Sequence, residues 1–131
     1  MVHYSDLNDL QAVDVANLFE QSGIKRPYDD LRRIENMLER ADVIISAWDG
    51  EKLVGIARAL TDFVYCCYLS DLAVDREYQH KGIGKVLVRQ LQTKIGDQCS
   101  LVLISAPGAM DYYPKIGFTA SDRAFVIPRK R

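Results

Sequence analysis

From Ser70 to Leu91 the chain reads SDLAVDREYQHKGIGKVLVRQL, with Gly82 and Gly84 two residues apart between an apolar run and an amphipathic one. Glycine lets an oxygen approach main-chain nitrogen with no Cβ in the way, and the first amides of a helix lack intrahelical partners at the positive end of its dipole. A strand, glycines and a helix start, in that order, therefore make an anion site whose natural occupant is phosphate. Lys81 and Lys85 flank the glycines and suit a diphosphate or a ribose phosphate. A tight strand-to-helix turn would use the same two glycines, so the surroundings must decide. The dinucleotide fingerprint G-x-G-x-x-G asks for a third glycine where this chain has Leu87. A Walker A loop asks for a glycine where Gln79 stands and a hydroxyl where Val86 stands. Both fail, and what remains is Q-x-x-G-x-G, here QHKGIG from Gln79.

Other reactive side chains are few. Cys66, Cys67 and Cys99 form no C-x-x-C pair and leave one over after any pairing, so they read as reduced core thiols. No His, Cys and carboxylate cluster has metal-ligand spacing, and no metal is expected. His3 has no motif around it, whereas His80 lies inside the glycine loop, where it meets solvent or phosphate.

A chain of 131 residues, 48% apolar and 27% charged, fits one ordinary globular domain over residues 1–131. The net charge of -1 gives no basic field for nucleic acid, so none is expected as a partner. No apolar run is long enough to span a membrane and the N-terminus has no signal pattern, so a cytoplasmic address and no membrane partner are expected by default.

The elements that must position the glycines follow from periodicity. Leu10, Val13, Ala16 and Phe19 recur at three-residue steps after caps at Ser5 and Asp6, which predicts a helix closing at Gly23. Leu31, Ile34, Leu38 and Ala41 predict a second, capped by Asp29 or Asp30. DVIISAW and KLVGIARAL, joined by DGEK, predict a β-hairpin, and VYCCYLSDLAV continues as a third strand covered on both faces. From Ile83 the period becomes helical, with Ile83, Leu87, Leu91 and Ile95 inward and Lys85, Arg89, Gln92 and Lys94 outward, ending at Gly96. SLVLISAP predicts a buried strand, AMDYYPKI a short helix ended by Gly117, and FTASDRAFVIP two last strands.

The QHKGIG loop beyond the strand DLAV resembles the pyrophosphate loop of the GNAT superfamily of N-acetyltransferases. Two further elements resemble it in the right order: LVGIARAL, like a third strand that often reads V-G-x-A-R, and YYPKIGF, like the element YEKLGF, with Pro114 in place of the usual Glu. Together they span about half the chain, from Leu53 to Phe118. The resemblance implies an α/β (α+β) fold of the GNAT acyl-CoA N-acyltransferase type, a mostly antiparallel twisted sheet flanked by helices with splayed central strands.

It also implies acetyl-coenzyme A as co-substrate, its pantetheine arm lying along SDLAV and bonding main chain at Leu72 and Val74 as an added strand would. The Leu72 N–H would then face the thioester oxygen. The implied cofactor-binding set is Leu72, Ala73, Val74, Gln79, His80, Lys81, Gly82, Ile83, Gly84, Lys85, Ser105 and Tyr112. Tyr113 falls at the tyrosine position and would protonate the leaving thiolate; Tyr112, about 100° round a helix, cannot serve the same task.

An alkylamine with pKa of about 10.4 costs about 4 kcal/mol to present neutral at pH 7, which makes a general base useful. Some members carry a Glu eleven residues before the loop glutamine; here that position is Tyr68. The nearest carboxylate is Asp71, either a base or a structural acceptor; alternation puts it opposite Ser70 unless a bulge intervenes. A water held by Ser70 or Tyr68 is the other route. The acceptor expected is a small-molecule primary amine, framed by SGIKRPY and TASDRAF, where Arg26, Tyr28 and Arg123 could recognise an anionic or aromatic group. Acetylation of a protein or peptide, and a catalytically silent coenzyme A sensor, are the alternatives. A homodimer is also compatible with the resemblance.

Overall fold

The apolar runs on either side of Gly50 form the central hairpin, β2 (Val43–Asp49) and β3 (Lys52–Thr61), paired antiparallel from Val43↔Ala59 to Asp49↔Lys52. Gly50, at φ 61°, is the first of two loop residues, where positive φ matches the twist of the flanking strands. The computed structural model describes all residues, 1–131. In it β4 (Cys66–Val74) extends the sheet beyond β3, β1 (Val2–Ser5) lies beyond β2, and β5 (Ser100–Val102) closes the far side in the order β1-β2-β3-β4-β5. Every pair is antiparallel except β4 with β5.

The sheet is covered on both faces, which is why its strands read as nearly continuous apolar runs. Helices α1 (Ala12–Ser22) and α2 (Leu31–Arg40) bury Phe19, Ile34 and Leu38 against Ile44, Leu53, Ile56 and Ala73. Helix α3 (Ile83–Ile95) buries Ile83, Leu87, Leu91 and Ile95 on the opposite face, against Val43, Ile45, Ala57 and Leu69. Both Gly23 and Gly96 end their helices at positive φ, 82° and 83°. Of the two caps considered for α2, Asp30 takes the role, accepting from the Arg33 amide. No helix is long and apolar enough to cross a membrane.

Two bulges interrupt the ladder. In the β2–β3 pair the register shifts after Ala47, and in the β3–β4 pair Arg58 faces Asp71 while Ala59 faces Leu69, so Ser70 is the extra residue. The second bulge exchanges the faces of β4. Leu69 packs toward α3, whereas Ala73, an even number of residues on, packs toward α1 and α2.

Four expectations differ. SLVLISAP forms strand only over Ser100–Val102, with Ser100 and Val102 exposed, because β5 lies at the edge of the sheet rather than within it. The first helix starts at Ala12 rather than after Ser5 and Asp6, because Val2–Ser5 is drawn into the sheet opposite Ser46–Asp49. Its buried stripe is Val15, Ala16, Leu18 and Phe19, with Val13 exposed, since steps of three drift off a face of 3.6 residues per turn. The tail forms no strand: after α4 (Tyr112–Lys115) residues 118–131 run without a ladder and Phe125 and Ile127 are fully exposed. Strand propensity is expressed only against a partner, and this segment instead leads to Arg131, whose carbonyl accepts from Arg33 on α2.

The β3–β4 turn is organised by Asp62, whose carboxylate accepts from the amides of Val64, Tyr65 and Cys66 and is thereby held down at about 2, against an ordinary 3.8. A carboxyl lowered on folding stabilises fully above its unfolded value and loses that contribution as pH falls through its folded value. Asp62→Ala should therefore melt below the wild type at pH 7, and the gap between the two melting temperatures should close as pH falls from about 4 to about 2.

Candidate functional site

The site begins with an edge that has no strand partner. β4 is nine residues long but pairs with β5 only at Cys66, Cys67 and Tyr68, so from Leu69 to Val74 its outer edge carries no ladder. The Asp75 amide donates to the Val54 carbonyl, on the β3 side. Alternation then turns the N–H groups of Leu72 and Val74 outward, into the opening between β4 and β5. The Ala73 side chain is buried toward α1 and α2, so this residue offers the opening no side chain.

The open edge leads into the glycine loop and the first turn of α3. Gln79 clasps the loop from below: its Nε2 donates to the Val74 carbonyl at 2.8 Å and to the Ser22 carbonyl, at the end of α1, at 3.3 Å. His80 and Gly82 both adopt positive φ, 66° and 83°, and Gly82 is the N-cap of α3, with no side chain bonded to the helix amides. His80, Lys81, Gly82 and Lys85 are exposed, while the Ile83 side chain turns into the core. Lys81 Nζ lies 5.3 Å over the Tyr78 ring, whose hydroxyl donates to Asp49 at 2.5 Å. That bond holds the Asp49 carboxyl below, and the Tyr78 phenol above, their usual ranges. Gly84 has a second reason to be glycine: a Cβ there would lie 2.3 Å from the Tyr112 hydroxyl oxygen. Tyr112 thus reaches the first turn of α3 from α4.

Tyr113 points elsewhere, as the helical offset requires, with its ring edge-on to Tyr112 at 5.3 Å and to Phe118 at 5.6 Å. Its hydroxyl makes no hydrogen bond within the chain. Burial, then the neighbouring Tyr112, push the phenol above its ordinary value, and the positive charge of Arg26 opposes them.

Of the two roles open to Asp71, base or structural acceptor, the geometry is that of the acceptor. Asp71 is fully buried, one oxygen accepting from Arg26 Nε and the other from Arg58 Nε. The bulge at Ser70 makes this possible by swinging Asp71 to the same side as Ser70, whose hydroxyl accepts from Arg58 Nη2 at 3.0 Å and whose carbonyl accepts from Arg26 Nη2 at 2.7 Å. Arg58 completes its bonding on the Met37 carbonyl of α2. Abstracting a proton would require Asp71 to release a guanidinium, so its geometry is that of an anchor. The pairing had a sequence signal: an arginine within LVGIARAL and an acid within YLSDLAV each need a buried partner, and adjacent strands supply one. Ser105 lies beyond the end of β5, its hydroxyl spent on the Ala106 carbonyl at 2.7 Å, with no bond to α3 or to Tyr113.

Comparison with known proteins agrees with this architecture. Residues 15–127 match the family described as Acetyltransferase (GNAT) domain. The N-acetyltransferase ycf52 of Pyropia yezoensis is 27% identical over 124 residues, covering 89% of this chain and 70% of that protein. GCN5-related N-acetyltransferase 2, chloroplastic, of Arabidopsis thaliana is 38% identical over 82 residues, 55% of this chain and 31% of that one. Among solved structures, the probable acetyltransferase SA2161 of meticillin-resistant Staphylococcus aureus superposes with a TM-score of 0.86 at 20% identity over the whole of both chains. Aminoglycoside N-acetyltransferase AAC(6')-Iy, solved with CoA, superposes at 0.71 and 17% identity over 100% of this chain and 96% of that one. With a family match over most of its length, and a sheet that parts beside a glycine loop and helix start, the chain belongs to the GNAT superfamily of acetyltransferases.

Proposed function

We propose that the protein transfers acetyl from acetyl-coenzyme A to a primary amine of a small molecule, by direct attack within a ternary complex. The observation that carries this is the convergence of three features: the unpaired edge of β4, the uncapped first turn of α3 and the unbonded hydroxyl of Tyr113. Coenzyme A supplies an activated acyl group as a thioester, and the residues present suit it. The amides from Gly82 to Lys85, with Lys81 and Lys85, hold the diphosphate. The N–H groups of Leu72 and Val74 bond the amide-rich arm as a neighbouring strand would.

In the reaction the amine lone pair forms the new C–N bond while the C–S bond breaks. The Leu72 N–H stabilises the carbonyl oxygen as charge builds on it, and Tyr113 gives its proton to the departing sulfur. A phenol raised by burial keeps that proton throughout the neutral range, as an acid at this position must. With both oxygens of Asp71 bound to guanidiniums, the amine loses its proton to solvent rather than to this carboxylate. Ser70, its hydroxyl and carbonyl both bonded to arginine, positions Arg58 and Arg26.

Tyr113→Phe should lower kcat by about a hundredfold or more, with the affinity for coenzyme A by calorimetry little changed. Equal loss of both would place Tyr113 in binding rather than proton transfer. With Asp71 occupied and the amine proton lost to solvent, kcat/KM for an alkylamine should rise by about tenfold per pH unit from about pH 6 to 9; a plateau starting near pH 7 would reveal a base, such as a water held by Tyr68. Gly84→Ala should raise the KM for acetyl-coenzyme A several-fold by displacing Tyr112. Adding Tyr112→Phe, which removes the clashing oxygen, should recover part of it, a coupling of roughly 1 kcal/mol between touching residues.

A further inference from the structure

The Arg26–Asp71–Arg58 cluster holds more positive charge than the chain neutralises. Two guanidiniums share one carboxylate, and neither has a second acidic partner within ion-pair distance. Arg58 is sealed in the sheet, but 21% of the Arg26 side chain remains exposed. A guanidinium carries five N–H groups. Arg26 uses one on Asp71, one on the Lys25 carbonyl at 2.7 Å and one on the Ser70 carbonyl at 2.7 Å, which leaves one on each terminal nitrogen. Each can donate to an oxygen of an incoming anion, and a carboxylate has two oxygens to accept them. Arg26 sits in the loop between α1 and α2, against the bulge of β4 at Ser70 and Asp71, immediately before Leu72. It is also already immobilised by three bonds, so an incoming anion need not order it.

We propose that Arg26 binds a carboxylate of the acceptor, so that the substrate is a small amine that also carries an acid group, held with its nitrogen toward the thioester. This rests on the acetyl-transfer reading for the place of the nitrogen, but the carboxylate site itself does not. A polycationic acceptor would instead meet a like charge at Arg26, whose paired carboxylate, Asp71, is already shared by two guanidiniums.

The test pairs amino acids and ω-amino carboxylates of increasing length with their neutral amides, and adds spermidine as a polycation. Two readouts are taken: thiol release from acetyl-coenzyme A, and the melting temperature of coenzyme A-loaded protein titrated with each compound. The expected result is that at least one acid exceeds its amide in kcat/KM by about tenfold or more, and alone raises the melting temperature. In Arg26→Gln the preference should fall to about one and the melting shift should vanish. Arg26→Lys, which keeps the charge without the planar fork, should retain part of both and serves if the Gln variant does not fold. Equal rates for acid and amide, a preference for spermidine, or a preference that survives Arg26→Gln overturns the proposal, as does the absence of any carboxylate-dependent melting shift. If no amine is acetylated yet an acid still stabilises the wild type and not the variant, the carboxylate site stands and the transfer reading fails.

Discussion

A carboxylate with no solvent and two guanidiniums is the constraint on which one half of this molecule is arranged. Asp71 lies under α1 and α2 where an unpaired charge would be intolerable, and it is kept ionised company by Arg58 from the next strand and Arg26 from a loop. Deleting one member of such a buried set typically costs about 3–5 kcal/mol, because the partner is left stranded. That is a large share of the roughly 5–15 kcal/mol that holds a domain folded. The loop after α1 is thus fastened to the sheet by charge as well as by the packing of Ile24. Gln79 fastens the same loop a second time through the Ser22 carbonyl.

This arrangement divides the work of β4 between its two sides. Toward α1 and α2 the strand presents side chains, Ser70 and Asp71, whose task is to orient arginines. Along its free edge it presents main chain, at Leu72 and Val74, where side-chain identity matters little. Under the proposed reading, donor and acceptor are served by one short segment without competing for the same groups.

Much of this was legible in the residues. The period of α3, its glycine stop, the hairpin through DGEK and the order of elements all follow from local rules, and the three motifs that resemble the superfamily pointed to it before any coordinates. What local rules could not give were the features set by pairing. Val2–Ser5 has no pattern of its own and becomes a strand only because β2 offers an edge. FTASDRAFVIP has strand-like content and finds no edge. The residues left Asp71 open as a base or a structural acceptor, and only its contacts decide for the acceptor. Its true neighbours, Arg26 and Arg58, lie 45 and 13 positions away in sequence. The need for glycine at position 84 was seen from the ligand's side, whereas the Tyr112 hydroxyl on the other side was invisible without the fold.

The extra residue at Ser70 comes just beyond Tyr68, the last position at which β5 remains zipped to β4. Bulges steepen local twist, and a steeper twist carries two neighbouring strands apart. A version of the chain lacking that single residue would keep the faces of Leu69 and Ala73 as they are, yet lie flatter. Its parallel ladder would be free to close toward Val74. Such a sheet would be shut, but it would lose the bonds that Ser70 makes to Arg58 and Arg26, so the vacant seam and the arginine anchor hang on the same irregularity.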